Sequence, residues 1–214
     1  EIMDQEFADL KVLGVWVHGP GVSNTSEPVE SPDDLNGLKL RAPTRVTNKL
    51  FTNLGATTVG MPVTAIPESL SKGVVDGAVI PWEVTGALKV AELVENHTEF
   101  EGNAIYTTTF IFAMNKDAYD DMPDDLKAVI DANSGAEFSR MAGAQMQADD
   151  GPSREAALDA GNNVITISEA DAGPWRDAAD ATTQEWIAEM DEKGIDGAAL
   201  IARAQELLDA NKTQ

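Results

Sequence analysis

The sequence predicts an α/β fold, and three observations carry that prediction. Gly37 to Pro81 reads as strand–helix–strand–helix–strand with short loops, the alternating rhythm of an α/β domain. Lys11 to Val17 (KVLGVWV) is an apolar run of branched and aromatic residues, as a buried strand requires. From Pro123 onward the pattern is mostly helical, alanine-rich and acidic.

Each element has its own signal. HGPGVSNT, after the first strand, reads as a loop from its Gly-Pro-Gly and Ser/Asn content. In GLKLRAP, Leu38 and Leu40 alternate with Lys39 and Arg41, a short strand stopped by Pro43. Val46, Leu50 and Leu54 stand four apart on a short helix ended by Gly55. TTVGM is the next strand; VTAIPESLSKG is a short helix capped by Thr64 and ended by Gly73. VVDGAVIP turns into a third strand, with Ile80 and Trp82 at its end. Ala104 to Met114 is the longest β-prone run, and His97 in ENHTEF reads as structural.

Pro123 to Asn133 starts a helix with Pro123 and the acids Asp124 and Asp125 at its positive end. A long helix follows over 136–160, then a small strand from Val164 to Ile167. Ser168 and Asp171 resemble a capping box, ahead of a helix presenting Trp175, Ala179, Thr182, Trp186 and Met190 on one face. A last helix near Ala198 to Ala210 is expected to turn Ile201, Ala204 and Leu208 inward.

The 214 residues suffice to bury a core, with no apolar run long enough to span a membrane. A net charge of −22 repels phosphate backbones and anionic lipid, so nucleic acid is not an expected partner. The absence of cysteine excludes disulfides, thiolate metal sites and thiol nucleophiles. His18 and His97 are the two histidines, and no HExxH, Walker, GxGxxG or GxSxG motif occurs. Neither a metal nor a cofactor is expected. The sequence starts at Glu1 and contains no basic region followed by an apolar one; either a signal peptide has been removed or the chain is a fragment.

Arg41 has two readings. It is a surface charge paired with one of many acids, or a ligand clamp at the carboxyl end of a strand, where α/β folds place their ligands. A planar guanidinium suits a carboxylate, to which it can donate two parallel hydrogen bonds.

The stretch DLNGLKLRAPTRVTNKLFTNLGATTVGMP, continued by ESLSKGVVDGAVIPWE, resembles the solute-binding proteins of tripartite ATP-independent periplasmic (TRAP) transporters, the DctP type. MNKDAYDDMPDDLKAVIDANSG is similar to a later helix entry of the same family, so the likeness covers nearly the whole chain. The resemblance implies a periplasmic-binding-protein-like architecture of two α/β lobes with a long connecting helix and a helical C-terminus. It implies a periplasmic protein, not an enzyme, that captures a small organic carboxylate and delivers it to membrane permease subunits. It assigns the carboxylate clamp to Arg41 and places Thr44, Met61, Val63, Ile80, Trp82, Tyr106 and Thr107 around the ligand. His18, between the first strand and a Gly-Pro-Gly loop, either contacts ligand at the cleft edge or orders the loop by a hydrogen bond.

Departures narrow the ligand. No second arginine stands near Gly21 and Val22, and Ala65 and Ile80 are apolar where family members often carry Glu and Asn. A small apolar acid, aromatic or branched, therefore fits better than a sugar acid. Family members carry more chain before the first strand, so the first lobe is expected to be incomplete here. On that expectation, 1–18 and 107–146 are a remnant of lobe 1, 19–106 and 147–190 are lobe 2, and 191–214 is a C-terminal helix across the lobes. Self-association or a complementing N-terminal chain would cover the exposed surface. Two other functions stay open: an enzyme on the same frame, with Glu83 as its base, and a helical interaction module.

Overall fold

The computed structural model describes residues 5–211; the first four residues of the 1–18 segment and the last three of 191–214 lie outside the described residues. A six-stranded mixed sheet forms the centre, in the order β4 (Thr57–Val59), β3 (Lys39–Arg41), β5 (Gly77–Pro81), β2 (Gly21–Thr25), β6 (Asn96–Phe100) and β8 (Asn163–Ile167). β3 is parallel to β4 and β5, and β6 is parallel to β8. β2 runs antiparallel to both β5 and β6.

β2 corrects the loop reading of HGPGVSNT. All five of its residues are buried in mid-sheet. Two of its small polar residues, Asn24 and Thr25, have their side chains bonded there. Asn24 Nδ2 donates to the carbonyls of Val22, Ala78 and Ile80, and Thr25 Oγ1 to that of Glu27. Its neighbour Gly77 is crowded, since a Cβ there would lie 2.6 Å from the Asn24 carbonyl oxygen.

Helices cover both faces. α1 (Arg45–Asn53) and α7 (Gly173–Glu192) pack over one face, enclosing Leu40, Phe51, Val79 and Trp175. Phe51 is fully buried, which stabilises the fold by about 1.5–3 kcal/mol. Ile66 and Leu70 of α2 (Ile66–Ser71) join Ala78, Ile80 and Val90 in a second cluster. α3 (Trp82–Ala87) follows β5 directly, so Trp82 opens a helix rather than ending a strand.

A separate antiparallel ribbon pairs β1 (Leu10–Val17) with β7 (Thr109–Asn115), from Leu10↔Asn115 to Val17↔Thr109. Two short helices, α4 (Lys116–Asp120) and α5 (Asp124–Ala132), lead from it into α6 (Ala136–Asp159). The start of α6 lies on the ribbon, where the Gly135 N–H donates to the Leu13 carbonyl and the Phe138 ring fills the space over Gly14. Its far end lies on the sheet side, where Ala157 joins Val22 and Trp82. Pro152 deletes one intrahelical hydrogen bond between these two halves.

Several boundaries differ from the sequence expectation. The Ala104–Met114 run is strand only from Thr109, because Tyr106 to Thr108 bond instead to the loop at His18 and Gly21. ENHTEF forms β6. Thr64 does not cap its helix; a 3-10 turn over Val63–Ala65 intervenes. Ser168 and Asp171 do bond to each other, but in a turn ahead of α7, which starts at Gly173. α8 (Gly197–Asn211) leaves Ile201 40% and Leu208 61% exposed rather than inward. Of the face expected to run from Trp175 to Met190, Trp175, Thr182 and Met190 are buried, while Ala179 and Trp186 are half-buried. Among the described residues no helix is long and apolar enough to cross a membrane, and no cluster could hold a metal ion.

His97 is wholly buried between two asparagines. Its Nδ1 faces Asn24 Oδ1 at 2.7 Å and its Nε2 faces Asn162 Nδ2 at 3.0 Å, which fixes a neutral ring as donor at Nδ1 and acceptor at Nε2. Burial pushes its pKa down to about 4, against a weaker upward pull from Glu99. An unfolded chain protonates this ring near pH 6.5, whereas the folded protein does not. The stability present above pH 6.5 is therefore lost as pH falls toward 4, by about 2–3 kcal/mol at pH 4.5. Urea midpoints between pH 7 and 4.5 should fall accordingly, and should fall less steeply in His97→Gln.

Candidate functional site

A cavity of about 360 Å³ opens where the carboxyl ends of β3 and β5 meet the end of β1, the segment before β7, and α6. Pro43, Val63, Ile80, Pro81, Val84, Phe110 and Met146 give it apolar walls. Its polar contributions come from Arg41, Tyr106, Thr108, His18 and Glu83. A more open groove of about 480 Å³ between β1 and α6 holds Arg140, but that side chain is exposed.

Arg41 is only 6% exposed. Alternation along β3 sends Leu40 into the core and Arg41 to the opposite face. Its Nε donates to the Met61 carbonyl at 3.2 Å and its Nη1 weakly to the Val79 carbonyl at 3.5 Å. Among the described residues no carboxylate lies within ion-pair distance of it. The surface-pair reading of Arg41 is thereby excluded. Burial lowers its pKa while Tyr106 opposes the shift, but a guanidinium stays charged near neutrality. A buried cation with spare N–H groups and no counter-ion is costly unless something anionic arrives.

Two hydroxyls lie at the same wall. Tyr106 Oη and Thr108 Oγ1 are buried without a hydrogen-bond partner among the described residues. Burial pushes the Tyr106 phenol far above its ordinary pKa, so it stays protonated and can donate. The ring of Tyr106 rests on Gly21, where a Cβ would lie 1.9 Å from its Cε1, and the Gly21 N–H donates to the Tyr106 carbonyl. His18 has both ring nitrogens engaged. Its Nε2 accepts from the Thr108 N–H at 3.1 Å, so its Nδ1 carries the proton and donates to the Gly19 carbonyl. Its ring meets Tyr106 edge-on at 5.6 Å and Phe110 at 6.0 Å.

Glu83, in the first turn of α3, completes the lining. Burial, then the nearby Asp150 and Asp149, push its pKa up to about 7. Its own backbone N–H donates to Asp150 Oδ1 at 2.9 Å.

The residues singled out from sequence fall into three groups. His18, Arg41, Val63, Ile80 and Tyr106 line the one cavity, and Met61 reaches it through the carbonyl held by Arg41. Thr44 and Thr107 line a shallower neighbouring pocket with Tyr106. Both threonine hydroxyls are engaged, Thr44 capping α1 through the Thr47 N–H and Thr107 bonding the His18 carbonyl. Trp82 lies elsewhere, buried against His97 with its Nε1 on Glu99. Sequence reasoning assigned no role to Thr108, Phe110 or Met146. Period-two alternation from Tyr106 places Thr108 and Phe110 on its face; nothing local marks Met146.

A mixed sheet whose strand ends and connecting helix enclose a small cavity around a buried cation has the form of a site for a small anionic solute. Residues 3–190 match the family model of bacterial extracellular solute-binding protein, family 7 (DctP), and the chain belongs to that family. This is a family of transport components, so the enzyme reading is set aside.

Its fold is that of TRAP solute-binding proteins. One, from Rhodoferax ferrireducens T118 in complex with copurified benzoate, is 43% identical with a TM-score of 0.93, covering 96% of this chain and 65% of that one. Another, from a marine metagenome and specific for aromatic acid ligands, is 40% identical with a TM-score of 0.94, covering 98% and 66%. It was solved with metahydroxyphenylacetate and with 3-hydroxybenzoate. A curated solute-binding protein of Albidiferax ferrireducens is 25% identical over 95% of this chain and 59% of its own length. The chain thus spans somewhat under two thirds of the length of each of these three relatives.

Proposed function

We propose that this chain is part of a periplasmic TRAP solute-binding protein that captures an aromatic monocarboxylate through Arg41 and delivers it to membrane permease subunits. The observation that carries this reading is the buried guanidinium of Arg41, without a counter-ion among the described residues, facing an apolar cavity. Tyr106 and Thr108 supply spare hydroxyls beside it, and Phe110, Pro43 and Ile80 supply surface for a flat ring. The aromatic acids held by the two solved relatives support the same ligand class. The segment partition goes with this reading: 1–18 and 107–146 belong to one lobe, 19–106 and 147–190 to the other, and 191–214 crosses them.

Calorimetric titration of the full-length protein tests it. Benzoate, 3-hydroxybenzoate, mandelate, malonate and galacturonate form the panel. The aromatic acids are expected to bind and the sugar acid is not. Binding of galacturonate in preference to all of the aromatic acids would overturn the ligand class.

A further inference from the structure

We propose that Glu83 is a specificity-determining residue of this cavity, restricting it to acids of a single negative charge, and that capture of such an acid at Arg41 is accompanied by uptake of one proton at the Glu83 carboxyl. The proposal rests on the carboxylate-capture reading above.

The geometry is the first ground. Glu83 and Arg41 line the same cavity, and the Tyr106 phenol feels the charge of both. Among the described residues neither side chain has an ion-pair partner of opposite charge. The remaining groups around Glu83 do not neutralise it. From α6 come Asp150, whose Oδ1 accepts the Glu83 N–H, and Asp149, held by Gln145. Arg154, on the same helix, is committed to Glu99. From the β1–β2 loop comes His18, whose pKa burial lowers and whose two ring nitrogens are already engaged by the Gly19 carbonyl and the Thr108 N–H. Tyr106 is a neutral phenol.

Charge balance is the second ground. With Glu83 ionised, Arg41 and Glu83 already sum to zero, and an entering carboxylate leaves one uncompensated negative charge in a half-buried site. With Glu83 protonated, the guanidinium and one carboxylate balance. The acid therefore binds best with a proton, drawn from solvent onto a Glu83 oxygen, with no covalent bond to the ligand. Glu83 sits near the midpoint of that choice at neutral pH, since its pKa is about 7. A second carboxylate on the ligand would restore the imbalance, which is how a like charge rejects the wrong partner.

Benzoate and isophthalate, a ring with one and with two carboxylates, are the probes, titrated into the full-length protein. Between pH 6 and 8.5 the Kd for benzoate, itself ionised throughout, is expected to weaken roughly ten- to thirtyfold as the protonated fraction falls. Heats measured at pH 8 in buffers of different ionisation enthalpy should report uptake approaching one proton per ligand. Isophthalate should bind at least tenfold more weakly than benzoate. In Glu83→Gln, which preserves shape, proton uptake should vanish, the Kd for benzoate should stay at its pH 6 value, and isophthalate should gain. Tight benzoate binding with no proton uptake and a flat pH profile in the unsubstituted protein overturns the role of Glu83 and leaves the carboxylate reading standing. Equal affinity for isophthalate does the same. Failure of every carboxylate to bind at pH 6 overturns the carboxylate reading, and this proposal with it.

Discussion

Arg41→Ala is expected to weaken aromatic acid binding by on the order of 10²–10³-fold, with the ligand-free melting temperature held. The magnitude follows from losing a buried, charge-assisted pair, which costs about 2–5 kcal/mol at a desolvated site. Retained stability follows from what Arg41 does without ligand: it is buried, and its partners among the described residues are two backbone carbonyls. Removing an unneutralised buried charge relieves a desolvation cost while losing weak hydrogen bonds. Arg41→Lys should also lose most affinity, because a single ammonium cannot reproduce the two-pronged fork. Titration calorimetry and thermal melts of the same samples check both halves. Binding that survives Arg41→Ala within a few fold would remove the clamp.

Glu99→Ala is expected to cost about 3 kcal/mol of stability with little change in ligand affinity at matched folding. Glu99 holds four elements together. The Arg154 guanidinium of α6 donates to both its oxygens, with Nη2 at 2.8 Å. Trp82 Nε1 of α3 donates at 2.9 Å, and Thr166 Oγ1 of β8 at 3.0 Å. Burial alone would raise its pKa, but these donors outweigh it and the pKa is lowered. Its contribution is therefore present above the ordinary carboxylate pKa and lost as pH falls through the depressed one, in the same direction as that of His97. Truncation would strand the Trp82 N–H and Arg154. The cost lies at the low end for a broken buried pair because Arg154, 39% exposed, can turn to water. Urea denaturation reads the effect as a lower midpoint at unchanged slope. A loss under 1 kcal/mol would mean that the pair behaves as a surface one.

The sequence read well wherever one element carried its own signal. Leu38 and Leu40 against Lys39 and Arg41 announce a strand with one buried face, and Gly55 and Gly73 end their helices with positive φ. The long helix and the Trp175–Met190 face follow from periodicity. β2 was missed because its signal is not in its composition. Gly-Val-Ser-Asn-Thr looks like a loop until Asn24 is seen donating to the Ala78 and Ile80 carbonyls of the neighbouring strand. α8 was misjudged for the opposite reason: periodicity shows that Ile201 and Leu208 share a face, but not whether anything covers it.

The candidate site divides in the same way. Arg41 was legible as a charge placed at a strand end, and the family likeness supplied its neighbours. Residue pattern alone does not show that they converge. Arg41, Glu83, Tyr106 and Met146 are scattered along the chain, and only the packing of β3, α3, the segment before β7 and α6 brings them to one cavity. Trp82 and Glu83, adjacent in sequence, part company because a helix starts there: one ring turns to His97 and Glu99, and the next carboxylate turns to the cavity.

By itself, the sequence determined the α/β class, the family and the residue that carries the charge, because each is written in local pattern or in short motifs. Tertiary structure alone decided that this charge has no counter-ion among the described residues and that the Glu83 carboxyl, its pKa raised by burial, faces the same space. Those properties arise from burial and from the distance between groups remote in sequence, and desolvation exists only once the chain has closed around them.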